Sequence, residues 1–98
     1  MCGIVGYSSN SNSIELSEFV SMIKSLDYRG YDSWGFTFKD KEQLITERQV
    51  GKIPTPTQKG NATFVIGHTR WATHGKVTEN NTHPHTSNSE NIALVHNG

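Results

Sequence analysis

Cys2 carries the sharpest chemical implication in this 98-residue sequence. An initiator methionine is removed when a small residue follows it, which would make Cys2 the mature amino terminus, with a thiol and a free amine on one residue. An α-amine accepts a proton close to neutral pH, so it can take the thiol proton directly or through water and leave the sulfur free to attack an electrophilic carbon. Such a nucleophile carries its own base. By position alone, Cys2 reads equally as a small apolar residue buried on a first strand, and both readings stay open here.

The other chemistry-bearing residues are ambiguous one at a time. Arg70 beside Trp71 reads on its own as an exposed arginine next to a core tryptophan. Asn97-Gly98 is a hairpin-turn dipeptide. Arg29 suits the C-terminus of a helix, which favours cations. The five histidines, His68, His74, His83, His85 and His96, together with the single cysteine raise a metal hypothesis. No two of them are four residues apart and there is no second cysteine, so no zinc signature is present, and neither metal nor cofactor is expected.

Length and composition bound what can position these groups. Single cores usually occupy about 100–150 residues, so one small domain is expected. The hydrophobic share is 33%, with 21 residues of Leu, Ile, Val and Phe, which allows a thin core. Nine basic residues balance nine acidic ones, so neither nucleic acid nor an anionic lipid surface is an expected partner. The single cysteine excludes an internal disulfide, no apolar run reaches the roughly 18 residues of a membrane span, and no secretory signal is visible. The chain reads as soluble and cytoplasmic.

Periodicity predicts the elements. Gly3 to Tyr7 is a β-prone run, and Leu16, Phe19, Val20, Ile23 and Leu26 recur at helical spacing. Asn12 with Glu15 resembles a capping box, which predicts a helix from about residue 13 to 27. Trp34 to Phe38 and Gln43 to Val50 read as a hairpin around the charged turn 39–42. The stretch from Gly51 to Ala62 reads as a surface connection, Phe64 to His68 and Ile92 to Val95 as buried strands, and Arg70 to Asn91 as a long polar loop. The stop at Asn97-Gly98, directly after a predicted strand, reads as a truncation.

Taken together, the motifs resemble a known family. Met1-Cys2-Gly3-Ile4-Val5-Gly6-Tyr7 is similar to the start of class II glutamine amidotransferases, the N-terminal-nucleophile family that hydrolyses glutamine to release ammonia. Tyr28-Arg29-Gly30-Tyr31-Asp32-Ser33, then Gly67-His68-Thr69-Arg70-Trp71-Ala72-Thr73-His74-Gly75, then His83-Pro84-His85, then Val95-His96-Asn97-Gly98 follow in the family's order and spacing. Arg29-Gly30-Tyr31 and Arg70-Trp71-Ala72-Thr73-His74 resemble the branch that aminates fructose 6-phosphate more than the purine-pathway branch. One departure is Trp34, where that branch normally has Ala before Gly35, which would set a bulky ring beside the active-site loop.

The resemblance implies roles. Cys2 would be the nucleophile, with Asn97 and Gly98 forming the oxyanion hole. Arg70 and Trp71 would bind the glutamine carboxylate, where a guanidinium fork suits two oxygens. Thr73 and His74 would continue the pocket wall, His74 in binding or gating and not as general base. Arg29 and Gly30 would shape the glutamine pocket, and His83 and His85 would be structural. The fold implied is α/β of the α+β type, an N-terminal-nucleophile αββα sandwich of largely antiparallel sheets, partly represented in a truncated chain. Residues 1–98 would be the N-terminal part of a glutaminase domain lacking its sugar-isomerase partner, weakly active or inactive alone. L-Glutamine would be the substrate and fructose 6-phosphate the acceptor in a full-length form whose homo-oligomeric state is left open. A non-catalytic fragment needing a complementary chain, or a class II amidotransferase with another acceptor, are the alternatives.

Overall fold

Strand pairing in this chain is organised around one central segment. The computed structural model describes residues 2–29, 32–54, 58–71 and 81–96. The apolar segments β1 (Gly3–Ser8), β3 (Ser33–Asp40) and β6 (Phe64–Arg70), with the more polar β4 (Gln43–Val50), form an antiparallel sheet in the order β1-β6-β3-β4. Strand β6 pairs along both edges, so Gly67 lies opposite Val5 on one side and Phe36 on the other. Side chains alternate along a strand. In this register Val5, Tyr7, Trp34, Phe36, Phe38 and Val65 share one face, while Ile4, Thr37, Thr46, Ile66, His68 and Arg70 share the other.

The apolar face takes the single α-helix among the described residues, α1 (Leu16–Lys24). Its buried stripe, Leu16, Phe19, Val20 and Ile23, follows from helical spacing, and each such side chain gains roughly 1.5–3 kcal/mol by leaving water. Phe19 meets Phe36 edge to face with ring centroids 6.5 Å apart. Close approach is possible because position 67 is glycine: a Cβ there would lie 2.7 Å from Ile23 Cδ1 and 2.8 Å from Phe19 Cε2.

The helix is shorter than expected, and the capping box does not form. Glu15 is the N-cap with no side-chain cap bond, and the Asn12 amide donates to Ser9 Oγ at 3.1 Å. Ile14–Glu15 instead make the short strand β2, paired with β5 (Asn61–Ala62), and the Leu16 amide donates to the Gly60 carbonyl at 2.9 Å. A distant strand thus satisfies donors that a local cap would have served. At the other end Ser25 caps the helix, and a 3-10 turn, Asp27–Arg29, follows.

Three more expectations need correction. The 51–62 stretch is not merely a surface connection, since Ile53 is 2% exposed within the core and Asn61–Ala62 form β5. The predicted buried strand 92–95 is only β8 (Ala93–Leu94), paired with β7 (His85–Thr86), and Ile92 and Leu94 are exposed. Among the described residues no element covers Ile92 and Leu94, which stay 62% and 53% exposed. The long polar loop accordingly contains structure, with β7 at 85–86 and a turn closed by the Ser87 amide on the Ile92 carbonyl.

The hairpin is tighter than its four charged residues imply. Asp40 pairs with Gln43, leaving Lys41 and Glu42 as the loop, with Lys41 at φ 57°. Mostly antiparallel sheets with one helix make the fold α+β. Among the described residues no helix is long and apolar enough to cross a membrane.

Candidate active site

The polar face of the sheet converges at one end, where β1 and β3 begin and β6 finishes. Gly3 lies opposite Thr69 in the register, so Cys2 comes beside Arg70, and Ser33 lies opposite Arg70 across the other edge. Extending the alternation of β1 upstream puts Cys2 on the face of Ile4, His68 and Arg70. Cys2 and Arg70 are both buried, 6% and 8% exposed, whereas Trp71, just beyond β6, is half exposed.

The backbone around this corner is tied down. The Asp32 amide donates to the Arg70 carbonyl at 2.8 Å, and the Gly51 amide donates to the Asp32 carbonyl at 2.8 Å. Thr69, fully buried, accepts the Gly3 amide on its Oγ1 at 3.2 Å. Ser33 is also fully buried, and its Oγ has no hydrogen-bond partner among the described residues.

Above the middle of the same face lies a stack of imidazoles. His68 and His83 are parallel with centroids 4.1 Å apart, and His85 follows at 4.2 Å with its ring tilted. Burial pulls the His68 pKa down from 6.5 to about 4, against an upward pull from the His96 carbonyl; His85, Arg70 and His96 add to the lowering. Burial likewise lowers His83 to about 4, helped by His68, His85, Arg70 and His96. His85 is lowered by burial, then by Arg48 and Arg70. The stack thus lies beside two guanidinium groups, those of Arg48 and Arg70.

Of the residues singled out from the sequence, the structure brings Cys2 and Arg70 together and leaves Trp71 at their margin. Arg29 closes the 3-10 turn, and its side chain lies outside what is described. Gly30, Thr73, His74, Asn97 and Gly98 lie outside the described residues. Trp34 does not flank the site: its ring is fully buried on the helix-covered face and stacks on Phe36 at 6.2 Å, because alternation sends it opposite to Gly35. Sequence reasoning attached no role to Thr69, Ser33 or His68. The signal for all three was membership of the same motif blocks as Arg70 and Arg29. Among the described residues no group of three His, Cys, Asp or Glu side chains could hold a metal ion.

Comparison with known proteins bears directly on this corner. The chain is 48% identical over its whole length to glutamine–fructose-6-phosphate aminotransferase (isomerizing) of Acinetobacter baylyi, covering 16% of that protein. It is 46% identical, again over its whole length, to the enzyme of the same name from Streptococcus pneumoniae, covering 16% of it, and 43% identical to that of Thermus thermophilus, covering 17%. The chain matches the N-terminal portion of glutamine–fructose-6-phosphate aminotransferases at 42–49% identity across its whole length. It spans about a sixth of the length of these curated relatives. No family model matches the chain. The stretch similar to this family covers all the elements that build the corner, from Cys2 through β6 to the histidine stack.

Proposed function

We propose that this chain supplies the glutaminase nucleophile of an amidotransferase, with Cys2 attacking the side-chain amide of glutamine. The observation that carries this reading is the burial of Cys2, directly before β1, and of Arg70 at the end of the neighbouring strand β6, in a chain 42–49% identical to aminotransferases that use glutamine by name.

With Met1 removed, the Cys2 amine takes the thiol proton and the sulfur adds to the amide carbon. Asn97, through its side-chain amide, and Gly98, through its backbone N–H, hold the oxyanion, a contribution worth about 2.7–4 kcal/mol per donor. The amine returns the proton to nitrogen, the C–N bond breaks, and ammonia leaves a glutamyl thioester. Water deprotonated by the same amine then attacks the thioester, releasing glutamate and restoring the thiol. Arg70 pairs with the substrate carboxylate, Trp71, Thr73 and His74 wall the pocket, and Arg29 and Gly30 shape it. The fold of the whole domain is the αββα sandwich of N-terminal-nucleophile hydrolases, of which residues 1–98 form the first part. In the natural full-length product the ammonia aminates fructose 6-phosphate. A reducing cytoplasm suits a nucleophile that must stay a thiol.

The test is glutamate release from glutamine by the natural full-length product carrying this chain. Cys2→Ala abolishes it, and a diazoketone analogue of glutamine alkylates the Cys2 sulfur, located by peptide mass spectrometry. Turnover that survives Cys2→Ala, or alkylation at another residue, overturns the reading.

A further inference from the structure

We propose that His68 and His83 are positioning residues that hold the backbone of His96 at both its carbonyl and its amide and so orient the peptide group leading into Asn97; the catalytic consequence rests on the oxyanion role given to Asn97 above. The His96 carbonyl accepts from His68 Nε2 at 2.9 Å, and the His96 amide donates to His83 Nδ1 at 3.2 Å. These two bonds assign the tautomers. A carbonyl only accepts, so His68 carries its proton on Nε2, and its Nδ1 is left as a buried acceptor with no hydrogen-bond partner among the described residues. A backbone amide only donates, so His83 Nδ1 is bare and its proton is on Nε2.

The grip reaches the next residue through covalent geometry. The His96 carbonyl and the Asn97 nitrogen belong to one planar peptide unit, so fixing the carbonyl oxygen fixes the plane in which Asn97 begins. The stack itself is seated on the sheet. His68 is fully buried in the central strand β6, His83 lies parallel to it, and the His83 carbonyl rests on Gly35, where any Cβ would collide with it. His83 must stay neutral for the arrangement to hold, because a proton on its Nδ1 would oppose the His96 N–H. Among the described residues the groups that act on the stack are His85, Arg48, Arg70 and His96, and no carboxylate that would favour a protonated ring is among them.

The experiment compares isosteric variants in the natural full-length product. His68→Phe and His83→Phe keep the ring but delete the bond, whereas His68→Gln keeps a donor at the Nε2 position and His83→Asn keeps an acceptor at the Nδ1 position. The Phe variants are expected to lower glutaminase kcat by about tenfold to a hundredfold with KM held within about twofold, and the Gln and Asn variants to recover most of that loss. Hydrogen exchange of the peptide covering His96 is read in parallel, and its amide should exchange at least about tenfold faster in His83→Phe than in His83→Asn, since only the second keeps the acceptor. Unchanged kcat in the Phe variants, a loss that Gln and Asn do not repair, or unchanged exchange at His96 each overturns the proposal. If His68→Phe does not fold, the pair of variants at the half-buried His83 decides. A wild-type protein without glutaminase turnover would sink the functional reading, while the exchange experiment would still judge the grip.

Discussion

The Gly3 amide donates to Thr69 Oγ1 at 3.2 Å, so the chain directly after Cys2 is held by a buried side chain of the neighbouring strand as well as by strand pairing. Thr69→Val keeps the shape and removes the acceptor, leaving a buried amide unpaired at a cost of about 1–3 kcal/mol. Thr69→Ser should restore most of it. Urea midpoints of the three proteins check this, and a Val variant as stable as wild type would show that the bond contributes nothing.

Trp34 separates two opposed effects. Its indole Nε1 is buried with no hydrogen-bond partner among the described residues, and its ring stacks on Phe36. Trp34→Phe removes an orphan donor worth about 1–3 kcal/mol and loses a similar amount of packing, so the net change should lie within about 1 kcal/mol. Trp34→Ala has only the loss and should cost about 3–5 kcal/mol. Equal destabilisation by the two substitutions in a denaturation series would contradict this account.

Gly35→Ala tests the seat of the 81–85 segment. A Cβ at position 35 would collide with the His83 carbonyl and lie 2.8 Å from the Glu47 carbonyl, and neither is a side chain that can rotate away. Overpacking of this kind costs about 1–3 kcal/mol or more. The thermal midpoint should fall and proteolysis within residues 81–96 should quicken. An unaltered midpoint would mean that the segment shifts freely.

Stability should depend on pH through the histidine stack. Burial is the leading cause that lowers His68 and His83 to about 4 in the folded state, against an ordinary 6.5 when unfolded. Between these values the unfolded chain binds protons that the folded chain refuses, so stability is full above about pH 6.5 and declines as pH falls toward 4. Urea midpoints measured from pH 7.5 down to 4.5 should drop through this window, and the drop should be shallower in His83→Phe. A flat profile in the wild-type protein would exclude the mechanism.

Much of this was legible in order of locality. The hairpin β3–β4 and the buried stripe of α1 follow from alternation and helical spacing over fewer than twenty residues, and both were read correctly in type. The helix starts later than Asn12 and Glu15 imply, because they fit a local capping pattern while the backbone of Ile14 and Glu15 pairs with Ala62 and Asn61. Ile53 looked like part of a polar connection for the same reason: its burial depends on elements on either side of it in the chain. Ile92 and Leu94 erred the other way, since apolarity predicted burial but the ribbon that holds them faces no partner layer among the described residues.

By itself the sequence determined the motif blocks, the cysteine next to the initiator methionine and the family resemblance, because residue types and their order are all those require. Alternation within β3 even implied that Trp34 and Gly35 face opposite ways. Only the tertiary structure decided which face each took, that Cys2 and Arg70 share a buried corner, and that His68 and His83 grip the backbone of His96. Those relations join residues 28 and 13 positions apart in the histidine case and 66 apart for Gly3 and Thr69. Loop closure over such distances carries no local sequence period, so the pairing of strands, and not the pattern along any one of them, settles it.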